Sequence, residues 1–138
     1  MSAHRPAILE ALKALLVTGL PDLSGRVYLP WEPLPETGTQ PLIQFDVDDS
    51  QIDDSETIGS WVQTMPVRIG YIRYGKFDYA ATWQQLNTIT GLIRNASISG
   101  IQRIDITGAA DNITEAGNKI LWPHLAVDVV YLTAAGEL

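Results

Sequence analysis

Residues 125–133, Leu125-Ala126-Val127-Asp128-Val129-Val130-Tyr131-Leu132-Thr133, decide the fold class. Leu125, Val127, Val129 and Tyr131 alternate with Ala126, Asp128, Val130 and Leu132, the period of two that marks a strand with one buried face. The strand spans Ile120 to Thr133, and Pro123 either bulges its start or marks where it joins the sheet. The same period recurs from Val62 to Tyr74, where Val67, Ile69 and Tyr71 point one way and Arg68, Gly70 and Ile72 the other. Pro66 has no N–H to give a neighbouring strand, so it argues for an edge position or a strand start.

Working outward, two segments switch to helical period. From Pro6 to Val17, Ile8, Leu9, Leu12, Leu15 and Leu16 form one stripe, with Glu10 and Lys13 turned away. Pro6 suits a first helical turn, and Gly19 with Pro21 supplies the stop. From Tyr79 to Asn95 a second stripe holds Tyr79, Trp83, Leu86, Ile89, Thr90 and Ile93, with Asp78 as its N-cap. Shorter strands are expected at Arg26–Leu29, Leu42–Asp48 and Ile101–Thr107. Pro33, Pro35, Gly38 and Pro41 make the stretch between the first two an extended connection. Asp48 to Ser60 reads as a polar, acidic loop, long enough to be mobile or functional, and Gly108 to Gly117 as turn-rich. The order αβββαββ predicts a single α+β domain over residues 1–138. Its four- or five-stranded mixed, largely antiparallel sheet has two helices packed on one face. The opposite sheet face, with Ile72, Val130 and Leu132 among polar residues, then needs a cover or a partner.

The chain has 138 residues, 46% hydrophobic and 18% charged, a globular balance that excludes a disordered tail or fibrous repeat. Cysteine is absent, which excludes a disulfide scaffold, a thiolate metal site and a cysteine nucleophile. No apolar run approaches the ~18 residues of a membrane span, and nothing at the N-terminus reads as a cleavable signal. The expectation is a protein made and folded in the cytoplasm, with no membrane partner.

Net charge is −7, unevenly placed. Val27 to Val67 contains no lysine or arginine but carries Glu32, Glu36, Asp46, Asp48, Asp49, Asp53, Asp54 and Glu56. Arg68 to Arg103 carries Arg68, Arg73, Lys76, Arg94 and Arg103 against Asp78 alone. So acidic a chain is a poor candidate for gripping DNA by its phosphates. Two readings stay open. An acidic loop keeps the protein soluble, or the charge split lets one copy's acidic face meet the next copy's basic face, head to tail. Candidate interface or lumen residues are therefore Asp46, Asp48, Asp49, Asp53, Asp54 and Glu56. Trp31 and Trp61 join them, since at loop borders a tryptophan either closes the core or anchors an interface. Arg68, Arg73, Lys76, Arg94 and Arg103 are the candidate basic counter-face.

Patterns for chemistry fail one by one. Asp46, Asp48 and Ser50 match the start of an EF-hand loop, but Gln51 stands where Gly is needed and Thr57 where the bidentate Glu belongs. His4 and His124 are the only histidines, too few for a usual zinc site. His124 has no nucleophile elbow to serve, and Gly70 and Gly75 lack the Gly-Lys-Ser/Thr ending of a phosphate loop. The expectation is no enzyme, no catalytic residue, no metal and no cofactor.

As a whole, the layout resembles the tail-terminator (tail-completion, minor tail protein U-like) family of long-tailed bacteriophages. The resemblance covers nearly the whole chain. It rests on Ile8-Leu9 and Leu15-Leu16 in the first helix, Gly25-Arg26-Val27-Tyr28, the Pro-rich run into Pro41-Leu42-Ile43, Val67-Arg68-Ile69, the Trp83 helix and the closing 125–133 strand. It implies a structural virion protein, assembled in the host cytoplasm. Such a subunit forms a homo-hexameric ring on the tail tube, stops tube polymerisation and presents a surface for head joining. Its partners would be itself, the tail tube protein and a head-completion or neck protein, with DNA passing the lumen without specific binding. The alternatives are a head–tail connector or neck ring of the same machine, an acidic binding protein that masks a basic partner, and a small hydrolase built on His124.

Overall fold

The computed structural model describes residues 5–23, 25–34, 41–53, 59–72, 79–111, 113–114, 120–121 and 123–136. Helix α1 (Arg5–Gly19) is followed by a 3₁₀ turn (Pro21–Leu23), β1 (Val27–Tyr28), β2 (Leu42–Val47), β3 (Gln51–Asp53) and β4 (Ser60–Ile72). Then come α2 (Tyr79–Arg94), β5 (Ile101–Ala110), β6 (Ile113–Thr114), β7 (Ile120–Leu121) and β8 (His124–Ala134). The main sheet runs β1-β2-β4-β8-β5, with β3 also on β4, and β6 and β7 pair antiparallel as a separate two-stranded sheet. This is the α+β domain expected, with two helices and a mixed, mostly antiparallel sheet.

One face of the sheet and both helices share a single core. Ile8, Leu9, Leu12 and Leu16 of α1 and Leu86, Ile89 and Ile93 of α2 pack with Ile43, Phe45, Val67, Ile69, Val127, Val129 and Tyr131. Each such side chain removed from water contributes about 1.5–3 kcal/mol, which is why the two stripes fix where the helices lie. On α2 the buried stripe is Thr82, Leu86, Ile89 and Ile93. Tyr79, expected on the stripe, is 48% exposed, because its hydroxyl donates to Asp111 Oδ2 at 2.9 Å, beyond the core. Trp83 is half-buried beside it, its ring centroid 6.1 Å away and its Nε1 donating to Asp111 Oδ1 at 3.0 Å. Tyr79's own hydrogen bond to Asp111, then burial, raises the Tyr79 pKa.

Four sequence expectations change. Pro66 is neither at an edge nor at a start: it lies within β4, between β2 and β8. Its carbonyl accepts from Asp48 N at 3.0 Å, so its backbone faces β2 and not β8. The missing N–H would have met the Asp48 carbonyl, and there Arg5 Nη2 donates instead, at 3.3 Å. The loop expected from Asp48 to Ser60 contains β3, which continues the line of β2 along β4 after an irregular step at Asp48–Ser50. The Gly108–Gly117 turn region holds the end of β5 and the β6 strand, and the strand expected from Ile120 divides at Pro123 into β7 and β8. Tyr71 N donates to the Pro123 carbonyl at 3.0 Å, just before β8 begins. Within the expected mixed sheet, β1 and β2 are parallel, which a tight hairpin cannot connect. That geometry explains the long Pro-rich passage between them. Asp78, expected as an N-cap, lies outside the described residues.

A buried polar cluster joins β4 to β8. Gln63, fully buried, donates from Nε2 to Thr133 Oγ1 at 2.8 Å and accepts at Oε1 from the Tyr131 hydroxyl at 3.0 Å. Burial pushes the Tyr131 pKa up, opposed by the positive charge of Arg5. Buried polar atoms must be satisfied together or not at all, so these side chains fix the β4–β8 register at this end of the sheet.

Candidate assembly surfaces

The sheet face away from the helices carries the even-numbered residues of β2 and β4, by the alternation that buries Phe45, Val67 and Ile69 on the other side. Its centre is charged. Arg68 Nη2 lies 2.8 Å from Asp46 Oδ2 and 3.2 Å from Asp48 Oδ1, and Arg103 Nε lies 2.8 Å from Asp105 Oδ2. Asp105 stands directly across from Asp128. Like charges facing across strands are unfavourable, and Arg103 offsets that repulsion. These pairs are exposed, worth about 0–1 kcal/mol each. They shape the surface more than they hold the fold. Toward one end the face turns apolar, with Val130 buried and Leu132 37% exposed.

The charge split seen along the sequence therefore does not survive folding at its centre. Arg68, assigned to the basic counter-face, pairs with Asp46 and Asp48, assigned to the acidic face. Antiparallel pairing brings the acidic end of β2 opposite the basic part of β4, with Asp46 directly across from Arg68. Arg103 is likewise paired within its own strand. Arg94 ends α2 and is exposed, and among the described residues it forms no ion pair. Asp49 is exposed after β2 and Asp53 ends β3. Asp54, Glu56, Arg73 and Lys76 lie outside the described residues. Among the described residues there is no group of three or more His, Asp or Glu able to hold a metal ion, and His124 is half-exposed at the start of β8.

The two tryptophans named from sequence part company. Trp61 is half-buried in β4, opposite Thr133. Trp31 is 54% exposed, just past β1. Its segment is nonetheless held firmly. Glu32 Oε1 accepts from Leu29 N at 2.9 Å while Glu32 N donates to the Leu29 carbonyl at 3.0 Å. The same carboxylate takes Lys13 Nζ of α1 at 2.7 and 3.0 Å. The Lys13 hydrogen bond, then that from Leu29, holds the Glu32 pKa below the usual carboxylate value. Sequence reading missed this brace, since Lys13 and Glu32 are remote along the chain. The one available signal was a lysine on the polar side of α1 and an acid beside an isolated tryptophan.

At the opposite side of the sheet, a cleft of about 230 Å³ opens between the end of α2 and the start of β5. Ile93, Ile98, Ile101 and Ile104 line it together with Arg94 and Arg103. From Tyr79 to Ile93, α2 has no charged residue at all, although nearly one residue in five of the whole chain is charged. Charge depletion of that kind belongs to the centres of protein interfaces. No helix of the described residues is long and apolar enough to cross a membrane.

No protein-family model and no curated protein matches the sequence. Among solved structures, the fold is similar to a chain in the virion of a native gene transfer agent (GTA) particle. The TM-score is 0.63 at 16% sequence identity, covering 94% of this chain and 100% of that one. Fold is shared from end to end.

Proposed function

We propose that this chain is a structural subunit of a phage-like particle, and specifically a tail terminator. It forms a ring on the tail tube, halts tube growth and offers a surface to the head or neck. The observation that carries the reading is the end-to-end likeness to a chain of a gene transfer agent virion, in which neither chain has an unmatched domain. The tail-terminator layout of the sequence narrows it. In this reading the acidic segment around Asp49, Asp53, Asp54 and Glu56 lines the lumen or meets the tube or neck. Carboxylates facing a lumen repel phosphates, so DNA passes without sticking.

Light scattering on the chain alone and with its tube protein tests this. A hexamer, or a monomer that becomes a ring when tube protein is added, supports the reading. A stable dimer indifferent to tube protein contradicts it. A ring captured by portal-side proteins and ignored by the tube would mean a connector instead. Charge reversal by Asp53→Lys with Asp54→Lys should leave folding intact and block head joining, and normal joining would remove the acidic segment from the account.

A further inference from the structure

Strands β1 and β5 are the two edges of the main sheet, and each side of the domain carries one half of a knob and a hole. Beside β1 stands Trp31, large, half out in solvent and on a braced turn. Beside β5 lies the α2–β5 cleft, with four isoleucines, buried or half-buried, and two exposed arginines. We propose that Trp31 of one copy seats in the α2–β5 cleft of the next, as the repeating contact of the ring.

Three observations favour a second copy as the occupant. The two features lie at opposite edges, so the contact is heterologous and repeats from subunit to subunit, as ring closure requires. The charges match: Trp31 lies in a segment without any base, and the cleft offers Arg94, which forms no ion pair among the described residues. Arginine also stacks favourably on an indole face. Finally, the brace from Lys13 and Leu29 to Glu32 pre-orders the turn, so that docking Trp31 costs little conformational freedom. A tryptophan laid against arginines, in a mainly polar cleft lined in part by isoleucines, joins two residue types enriched in interface hot spots.

This rests on the ring reading, and two exposed-site variants separate the two ideas. Trp31→Ala removes the knob and leaves the cleft. Ser97→Trp, also at an exposed position, fills the cleft from its own chain and leaves the knob. Both are assayed by sedimentation velocity, with tube protein present if the ring needs it, after circular dichroism has matched them to the parent fold. Each variant alone should self-associate about thirtyfold more weakly or worse. An equimolar mixture should stop at pairs, because only one intact contact can form, between Trp31 of the Ser97→Trp copy and the open cleft of the Trp31→Ala copy. Rings from either variant at parental strength, or full rings from the mixture, overturn the contact while leaving the ring standing. A parent chain that stays monomeric with and without tube protein overturns both.

Discussion

Removing the Tyr131 hydroxyl is the sharpest test of how the sheet is held. Tyr131 is fully buried, and its hydroxyl donates to Gln63 Oε1 at 3.0 Å. Tyr131→Phe deletes one neutral hydrogen bond and takes a donor away from a buried amide oxygen, a loss of about 1–3 kcal/mol. Gln63→Leu breaks the bonds to both Tyr131 and Thr133, again about 1–3 kcal/mol. The double variant removes donor and acceptor together and puts apolar groups of similar size in their place. It should lose less than the two singles combined, by about 1–2 kcal/mol. Urea unfolding reads this directly. With a slope of about 2 kcal/mol per molar, each single variant moves its midpoint down by roughly 0.5–1.5 M. Losses that add to within about 0.3 kcal/mol would mean that the two side chains do not interact, refuting the register-fixing role given to this cluster.

Three further outcomes follow from the same geometry. Burial raises the Tyr131 pKa above its ordinary value of 10.0, so the folded state holds that proton longer than the unfolded chain. Stability from this group is complete below pH 10 and drains away as pH rises through the raised value; the parent should lose stability above pH 10 more steeply than Tyr131→Phe in urea melts. Glu32 shifts the opposite way, below 4.5, chiefly through its hydrogen bond to Lys13. Its contribution is therefore present above pH 4.5 and lost as pH falls through the lowered value, and Glu32→Gln should flatten that part of the acid limb of the stability curve. Gly91 sits inside α2 with open space where a Cβ would go. Gly91→Ala should stabilise the chain by about 0.5–1 kcal/mol, or roughly 2–3 °C by calorimetry; a drop in melting temperature would show that the bare backbone there is needed.

Much of this architecture was legible from period alone. The stripes Ile8-Leu9-Leu12-Leu16 and Leu86-Ile89-Ile93 bury as their spacing dictates, and 125–131 alternates as a half-buried strand must. What escaped is whatever depends on a partner distant in sequence. Pro66 reads as an edge residue until Asp48 and Arg5 are found beside it, taking over the geometry its ring denies. Gln51–Asp53 looks like acidic loop because its stabilisation comes from Val62–Thr64 across the sheet, not from its own composition. Tyr79 has the right spacing for the core, yet a carboxylate at Asp111 draws it out.

The candidate surfaces divide in the same way. Trp31 was readable as a loop-border tryptophan that either closes the core or anchors an interface, and it stands exposed. The partition into an acidic and a basic face was not, because linear charge runs ignore which strands become neighbours: Asp46 and Arg68 lie far apart along the chain and directly opposite in the sheet. The cleft beside β5 has no linear signature either, since Ile93 and Ile104 come together only when α2 packs over the edge strand.

The proposed role of this chain is to cap a tail tube. Negative-stain electron microscopy of tubes polymerising from the cognate tube protein, with and without an excess of the chain, tests it most directly. The account predicts tubes that carry a ring at one end and stop lengthening once it is in place. Bare tube ends and unchanged growth at saturating chain concentration would contradict it.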